Sequence, residues 1–346
     1  MSARGFASDN HSGAHPEVLA AMAAVNDGHV PAYGDDAFTA KGIAALRQHL
    51  GTDCEIFFVF NGTGANVTGL GSVLSPWQSV ICPATAHIAC DEAGAPERFT
   101  GAKLMPVRTP DGKLTPALVE PYLTGFGVEH HSQPAVISIT QVTEMGTVYE
   151  PDEIRSLAEL AHGHGMLVHM DGARIANASV ALDAPLATFT TDVGVDILSF
   201  GGTKNGMVFG EAVCFLGAEA ENRARDFRFV RKQAAQLASK ARFIGAQFAA
   251  MYEDDLWLRC AANANDMAAR LRDAVRDIPG ITVTQEGRAN EIFALMPPDA
   301  IAPVQERFPF YVWDEAAAEV RWVTSWDTTP EDVDAFASLL RRTVAG

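Results

Sequence analysis

Along this chain, apolar runs of strand length repeatedly end in turns of glycine and other small residues, and most lead into a helix-like stretch. "EIFFVF" passes into "NGTGANVTGL", and "AVISITQVTEMGTVY" into "EPDEIRSLAELAHGHG". The order returns at "MLVHMDGAR" and again at "VDILSFGGTK" followed by "GEAVCFLG". Strands that alternate with helices imply an α/β fold, a mostly parallel sheet with helices on both faces. In such sheets a ligand sits beyond the carboxyl ends of the strands. Residues 61–66, 171–174 and 203–204 each follow an expected strand, so the topology would bring them to one edge.

The ends of the chain read differently. "HPEVLAAMAAVNDG", with Val18, Leu19, Met22 and Val25 at helical spacing, and "TAKGIAALRQHLG" are expected helices ahead of the first strand. From about Asp226 the pattern becomes long helices, "RDFRFVRKQAAQLASKARFIGAQFAAMYEDD" and "WLRCAANANDMAARLRDAVRDIPG". Short strands follow at "ITVTQEG", "EIFALMP" and "EVRWVTSW", then a last helix at "TPEDVDAFASLLRRTV". At 346 residues the chain exceeds what one core usually supports. The expected division is a large domain over 1–245 and a smaller α+β domain over 246–346.

A formal charge of −17 disfavours nucleic-acid and anionic-membrane partners. The five cysteines include no C-x-x-C pair, which points away from a zinc cluster or a disulfide framework and towards a reducing cytoplasm. The start "MSARGFASDNHSG" has no apolar signal region, and no later stretch reaches the roughly 18 apolar residues of a membrane span.

Chemistry concentrates in "LVHMDGAR" and "SFGGTK": an aspartate at a strand end, an arginine three positions on, and a lysine at the end of another strand. Pyridoxal phosphate needs such a set, a lysine to bind its aldehyde as a Schiff base and a carboxylate to keep its ring nitrogen protonated. Taken alone, Lys204 reads as a solvated loop charge; its pairing with Asp171 changes that. "NGTGANVTG" fails the dinucleotide fingerprint because Val67 stands where its third glycine belongs. His162 and His164 read as the end of a helix and His169 as a core or subunit-contact residue, with no carboxylate or cysteine at metal-ligand spacing, so no metal is expected. Arg321, within the apolar "VRWVTSW", needs either a ligand carboxylate or an internal acid. The arginines of "RDFRFVRK" read as a solvated helix face.

Together "FASDNHSGAHPEVLAAM", "AYGDDAFTAKGIAAL", "NGTGAN", "TAHIACDEAG", "VHMDGARIANA", "LSFGGTKNG" and "RWVTSWDTTPEDVDAF" resemble the low-specificity L-threonine aldolases. These are aspartate-aminotransferase-like, fold type I pyridoxal-phosphate enzymes, and the likeness runs in order over nearly the whole chain. It implies that Lys204 carries the cofactor, Asp171 meets its ring nitrogen, His87 stacks on the ring, and Gly62 and Thr63 bind its phosphate. Arg174, which also borders the cofactor, would hold the substrate carboxylate with Arg321 and Ser8. Tyr33 matches an active-site aromatic, and His130, or His131 in the adjoining register, a second active-site histidine; that histidine, or a water that it orients, would be the base at the β-hydroxyl. Two stretches depart from the pattern: "GGTKNG", where many members have a shorter serine-lysine loop, and "RKQAAQLASKARF", which puts phosphate contacts from Arg231 or Lys232 in question. The implied reaction is cleavage of β-hydroxy-α-amino acids to glycine and an aldehyde, in a homodimer or homotetramer with active sites at the dimer interface. The alternatives are a β-eliminating lyase and a non-catalytic binding module on the same scaffold.

Overall fold

The structure, a computed structural model, describes residues 4–344. Seven strands, β1 (Cys54–Val59), β2 (Gln78–Pro83), β3 (Lys103–Val107), β4 (Gln133–Thr140), β5 (Leu167–Gly172), β6 (Ile197–Phe200) and β7 (Glu211–Leu216), form one sheet in the order β1-β7-β6-β5-β4-β2-β3. Strands β2 to β6 pair in parallel, whereas β7 runs antiparallel to both of its neighbours. Strand β7 is "GEAVCFLG", which the alternating pattern reads as the helix after β6. All six of its residues are buried, and a short run apolar on both faces suits a central strand. Strand β3, with Pro106, lies at the sheet edge, where a missing N–H is tolerated.

Helix Pro151–Gly163 is both amphipathic and capped: it opens on a proline and on a reciprocal cap between Glu150 and Glu153, and buries Ile154, Leu157, Ala158 and Ala161 along one stripe. The stretch from Asp226 is not one long helix. It breaks into Phe227–Gln233 and Arg242–Tyr252, and in the loop between them Ala235 takes a left-handed backbone at φ 59°.

The smaller sheet consists of β8 (Thr282–Val283), β9 (Glu291–Leu295), β10 (Tyr311–Asp314) and β11 (Glu319–Val323), antiparallel in the order β10-β11-β9-β8. It shares one core with the last helix, Pro330–Val344, through Ile292, Trp322 and Phe336. Helix Leu256–Val275 crosses between the two cores: Leu256, Trp257 and Ala261 lie in the larger, and Ala268, Leu271 and Val275 in the smaller. Phe248, Met251 and Tyr252, which the sequence division assigns to the smaller domain, thus pack in the larger core. The N-terminal segment belongs to the smaller unit. Phe6 stacks on Phe336 at 4.3 Å, and its carbonyl accepts from Val323 N–H at 2.8 Å, which carries residues 8–10 towards the end of β5.

Candidate active site

A cavity of about 300 Å³ opens at the carboxyl edge of the large sheet. Asn61, Gly62 and Thr63 reach it from the end of β1, His87 from beyond β2, Asp171 from β5, and Thr203 and Lys204 from beyond β6. Because β7 runs backwards, its first residue, Glu211, joins them at the same edge. The parallel topology thus collects side chains far apart in sequence.

One end of the cavity is built for an anion. Asn61 caps helix Gly62–Val73, its side-chain oxygen accepting from Gly64 N–H at 2.7 Å, and the remaining first-turn amides give that end a positive field. At Gly64 the approach is close: a Cβ would lie 2.3 Å from Cδ of Gln236, so that side chain, whose Oε1 accepts from Phe60 N–H at 3.0 Å, would have to move. Gln236, in the unexpected loop after Phe227–Gln233, therefore packs on this turn. Arg231 instead donates to Phe58 O at 3.2 Å, and Lys232 lies over the Tyr33 ring at 5.2 Å; neither lines the cavity.

Asp171 and His87, which line the cavity, belong to a buried network of carboxylates. Asp171 Oδ2 accepts from Asn66 Nδ2 at 2.8 Å and its Oδ1 from Ala173 N–H at 3.0 Å. Asn66 Nδ2 also donates to Glu92 Oε1, which in turn holds His87 Nδ1 at 2.8 Å. His87 N–H and the Thr140 hydroxyl both donate to Glu144 Oε1 at 2.8 Å. The hydrogen bond with Glu92 raises the His87 pKa above its ordinary value despite partial burial. Burial, with Asp171 nearby, pushes Glu144 up to about 7, and burial does the same to Glu211, whose Oε2 accepts from Gly202 N–H at 2.5 Å. Beside Lys204, Gly201 has no room for a Cβ, which would meet Ala173 O at 2.5 Å. His169 is fully buried between the hydroxyls of Ser138 (2.9 Å) and Ser199 (3.0 Å), and burial lowers its pKa to about 4, so the ring is neutral.

Glu92, Glu144 and Glu211 escape sequence reasoning, and Asn66, although it ends the 61–66 stretch expected at this edge, is given no role there. Their only signal is a polar residue inside or beside an apolar run.

Arg174 and Arg321 do not line the cavity, although Asn10 beside Asp9 and Ala173 beside Arg174 do. Arg174 is held by Asp9 through Nε (2.7 Å) and Nη2 (3.1 Å), with Glu291 at 3.5 Å from Nη1. Burial opposes its charge, but Asp9 and Glu291 outweigh that and raise its pKa. Arg321 finds the internal acid that its apolar strand demands, Glu291, at 3.6 Å. Ser8 accepts from Asn10 N–H at 3.1 Å and caps the short turn that carries Asp9. Tyr33 is 50% exposed and outside the cavity.

His130 and its alternative His131 lie away from the cavity of their own chain. Both are exposed in the loop before β4, at the amino edge of the sheet, whereas Asp171 is level with Thr140 at the other end of that strand. Seven residue steps of about 3.3 Å separate Gln133 from Thr140, so about 23 Å of strand lies between that loop and the cavity. Within one chain neither histidine can serve as the base there. Sequence order carried them close to an expected strand, but to its wrong end.

A mostly parallel seven-stranded sheet with lysine and aspartate at its carboxyl edge, joined to a small antiparallel unit, is the architecture of fold type I pyridoxal-phosphate enzymes. The chain matches the Beta-eliminating lyase family over residues 5–296. It is 44% identical over 339 residues to the low specificity L-threonine aldolase of Pseudomonas aeruginosa, covering 97% of this chain and 96% of that protein. A second such aldolase, from a Pseudomonas species, is also 44% identical, with 97% and 96% covered. Among solved structures, Leishmania major threonine aldolase superposes with a TM-score of 0.92 at 30% identity over 99% of both chains. Alanine–glyoxylate aminotransferase from a Nostoc species, at TM-score 0.72 and 17% identity over 99% and 96% of the chains, shares the fold alone. The chain belongs to the Beta-eliminating lyase family and, within it, to the low-specificity L-threonine aldolases.

Proposed function

We propose that this chain binds pyridoxal 5'-phosphate and cleaves β-hydroxy-α-amino acids, L-threonine and L-allo-threonine among them, to glycine and an aldehyde. The observation that carries this reading is one cavity lined by a lysine, a buried aspartate and a glycine turn at a helix N-terminus. That set fits the cofactor. Lys204 would hold its aldehyde carbon, Asp171 its ring nitrogen, Gly62 and Thr63 its phosphate, and His87 would lie against the ring. When bound, the group supplies an electron sink for the pair released as Cα–Cβ breaks.

The rest of the work falls to the chain. Arg321 would anchor the substrate carboxylate with Arg174 and Ser8. All three match the family positions for it and lie outside the lining of the cavity, Ser8 at the turn that carries Asn10 and Arg174 next to Ala173. His87 is the imidazole lining the cavity, and with Nδ1 fixed by Glu92 it can take the β-hydroxyl proton directly or through a water. Asn66 and Glu144 keep Asp171 and His87 in place around the bond that breaks. The assembly is a homodimer or homotetramer, in which Tyr33 and the loop of His130, both exposed, would meet a second copy's site.

The test is incubation of the cofactor-loaded protein with both threonine diastereomers and assay of glycine, acetaldehyde and ammonia. Glycine and acetaldehyde in equal amounts, lost in Lys204→Ala, are expected. Stoichiometric ammonia without glycine would establish β-elimination instead, and a loaded protein with no turnover would leave a binding module.

A further inference from the structure

Glu291 opens β9 with a side chain wholly enclosed, yet neither of its oxygens accepts a hydrogen bond among the described residues. It lies between two guanidinium groups, Oε2 at 3.5 Å from Arg174 Nη1 and Oε1 at 3.6 Å from Arg321 Nη1. The two arginines are not equivalent. Arg174 has a second and closer acid in Asp9, whereas among the described residues Glu291 is the one carboxylate in salt-bridge range of Arg321. Arg321 rests over the rings of Trp313 and Tyr311, at 5.3 and 5.9 Å, and its buried Nε has no partner among the described residues. Glu291 thus cancels the charge of Arg321 without occupying its donors, which remain available to another acceptor.

We infer that Glu291 is an internal counter-carboxylate that keeps Arg321 neutralised before substrate arrives and then opposes the incoming carboxylate, so that it sets how weakly the site holds an amino acid. This rests on the reading that Arg321 receives the substrate carboxylate. The physical argument is one of charge. Arg174 and Arg321 are balanced by Asp9 and Glu291, so a ligand carboxylate enters a set of groups whose formal charges already cancel, beside one that repels it. At an effective permittivity near 20, like charges held at one guanidinium group repel strongly enough to change binding by about tenfold or more. The chemistry has a use for such weakness. Substrate and product glycine carry the same carboxylate, and affinity spent equally on both speeds no chemical step and slows release.

The experiment is calorimetric titration of glycine into the pyridoxal-phosphate-loaded native protein and its variants, with threonine kinetics alongside. Glu291→Gln should bind glycine about tenfold more tightly and lower KM without raising kcat, whereas Glu291→Asp, which keeps the charge, should stay within about threefold of native. A role confined to packing would loosen binding in Glu291→Gln, not tighten it. Should Glu291→Gln fail to fold, Arg321→Gln/Glu291→Gln replaces the whole pair by neutral groups and leaves Arg174 its Asp9. That double variant should bind glycine about tenfold more tightly than Arg321→Gln alone. Equal or weaker binding, in Glu291→Gln against native or in the double variant against Arg321→Gln, overturns the inference. Glycine affinity unchanged by Arg321→Gln overturns instead the reading of the carboxylate site on which it rests.

Discussion

A carboxyl buried beside another carboxyl keeps its proton longer than one in water, and Glu144 is such a group, at about 7 against an ordinary 4.5. The folded chain therefore binds this proton where the unfolded chain has released it. Stability falls as pH rises from 4.5 through 7, the sign expected for a carboxyl whose pKa is raised by folding. Glu144→Gln keeps an acceptor for His87 N–H and Thr140 but cannot titrate. Relative to native, the variant should gain about 2–3 kcal/mol of stability between pH 5 and pH 8. Denaturant unfolding of the cofactor-free protein at the two pH values measures this, and parallel pH profiles would show that Glu144 is already ionised. The sequence offers little hint of such behaviour, because Glu144 and His87 are 57 positions apart and meet only across the sheet edge.

At the scale of elements, the turn that opens helix Gly62–Val73 depends on two segments far apart in sequence. Helix Gly62–Val73 follows directly from the strand–glycine–helix pattern, but the loop of Gln236 that packs on Gly64 does not, since that stretch reads as a continuous helix. Gly64→Ala pushes a methyl into Gln236 and should cost about 1–3 kcal/mol of stability despite the better helix propensity of alanine. Adding Gln236→Ala removes the obstacle and should recover most of that loss. Thermal unfolding of the three proteins decides the matter; a Gly64→Ala variant as stable as native would mean that the loop yields freely. The same reasoning explains β7. Its composition is that of a buried segment, and only the sheet chooses strand over helix.

For the molecule as a whole, the site expected from family resemblance divides into three sets, of which Arg174, Arg321 and Ser8, buried or half-buried outside the cavity lining, are one. Lys204, Asp171, His87, Gly62 and Thr63 share one cavity, whereas Tyr33 and His130 are exposed on the same chain. If a second copy brings the loop of His130 to the cavity, Lys204→Ala and His130→Asn should each be impaired alone. Mixed within one dimer they should restore one intact site in every mixed pair, about a quarter of native activity for random pairing. Subunit exchange followed by a threonine cleavage assay tests this. No regain on mixing would rule out sharing of this kind, and a fully active His130→Asn would remove the histidine from the reaction.

What the sequence determined by itself is the periodic part of the molecule: strands and helices in alternation, glycine turns at the strand ends, and hence one edge where 61–66, 171–174 and 203–204 gather. These features are local, set by backbone sterics and by the spacing of apolar residues, and a sheet of parallel strands has few ways to arrange them. The tertiary structure alone decided which polar residues share a proton or a charge. Asn66 with Asp171, Glu144 with His87, and Glu291 between Arg174 and Arg321 are pairings across the sheet edge or between the two cores. It also decided that His130 stands at the far end of β4. Electrostatic interaction depends on distance and burial in three dimensions, and neither quantity is written in the order of residues along a chain.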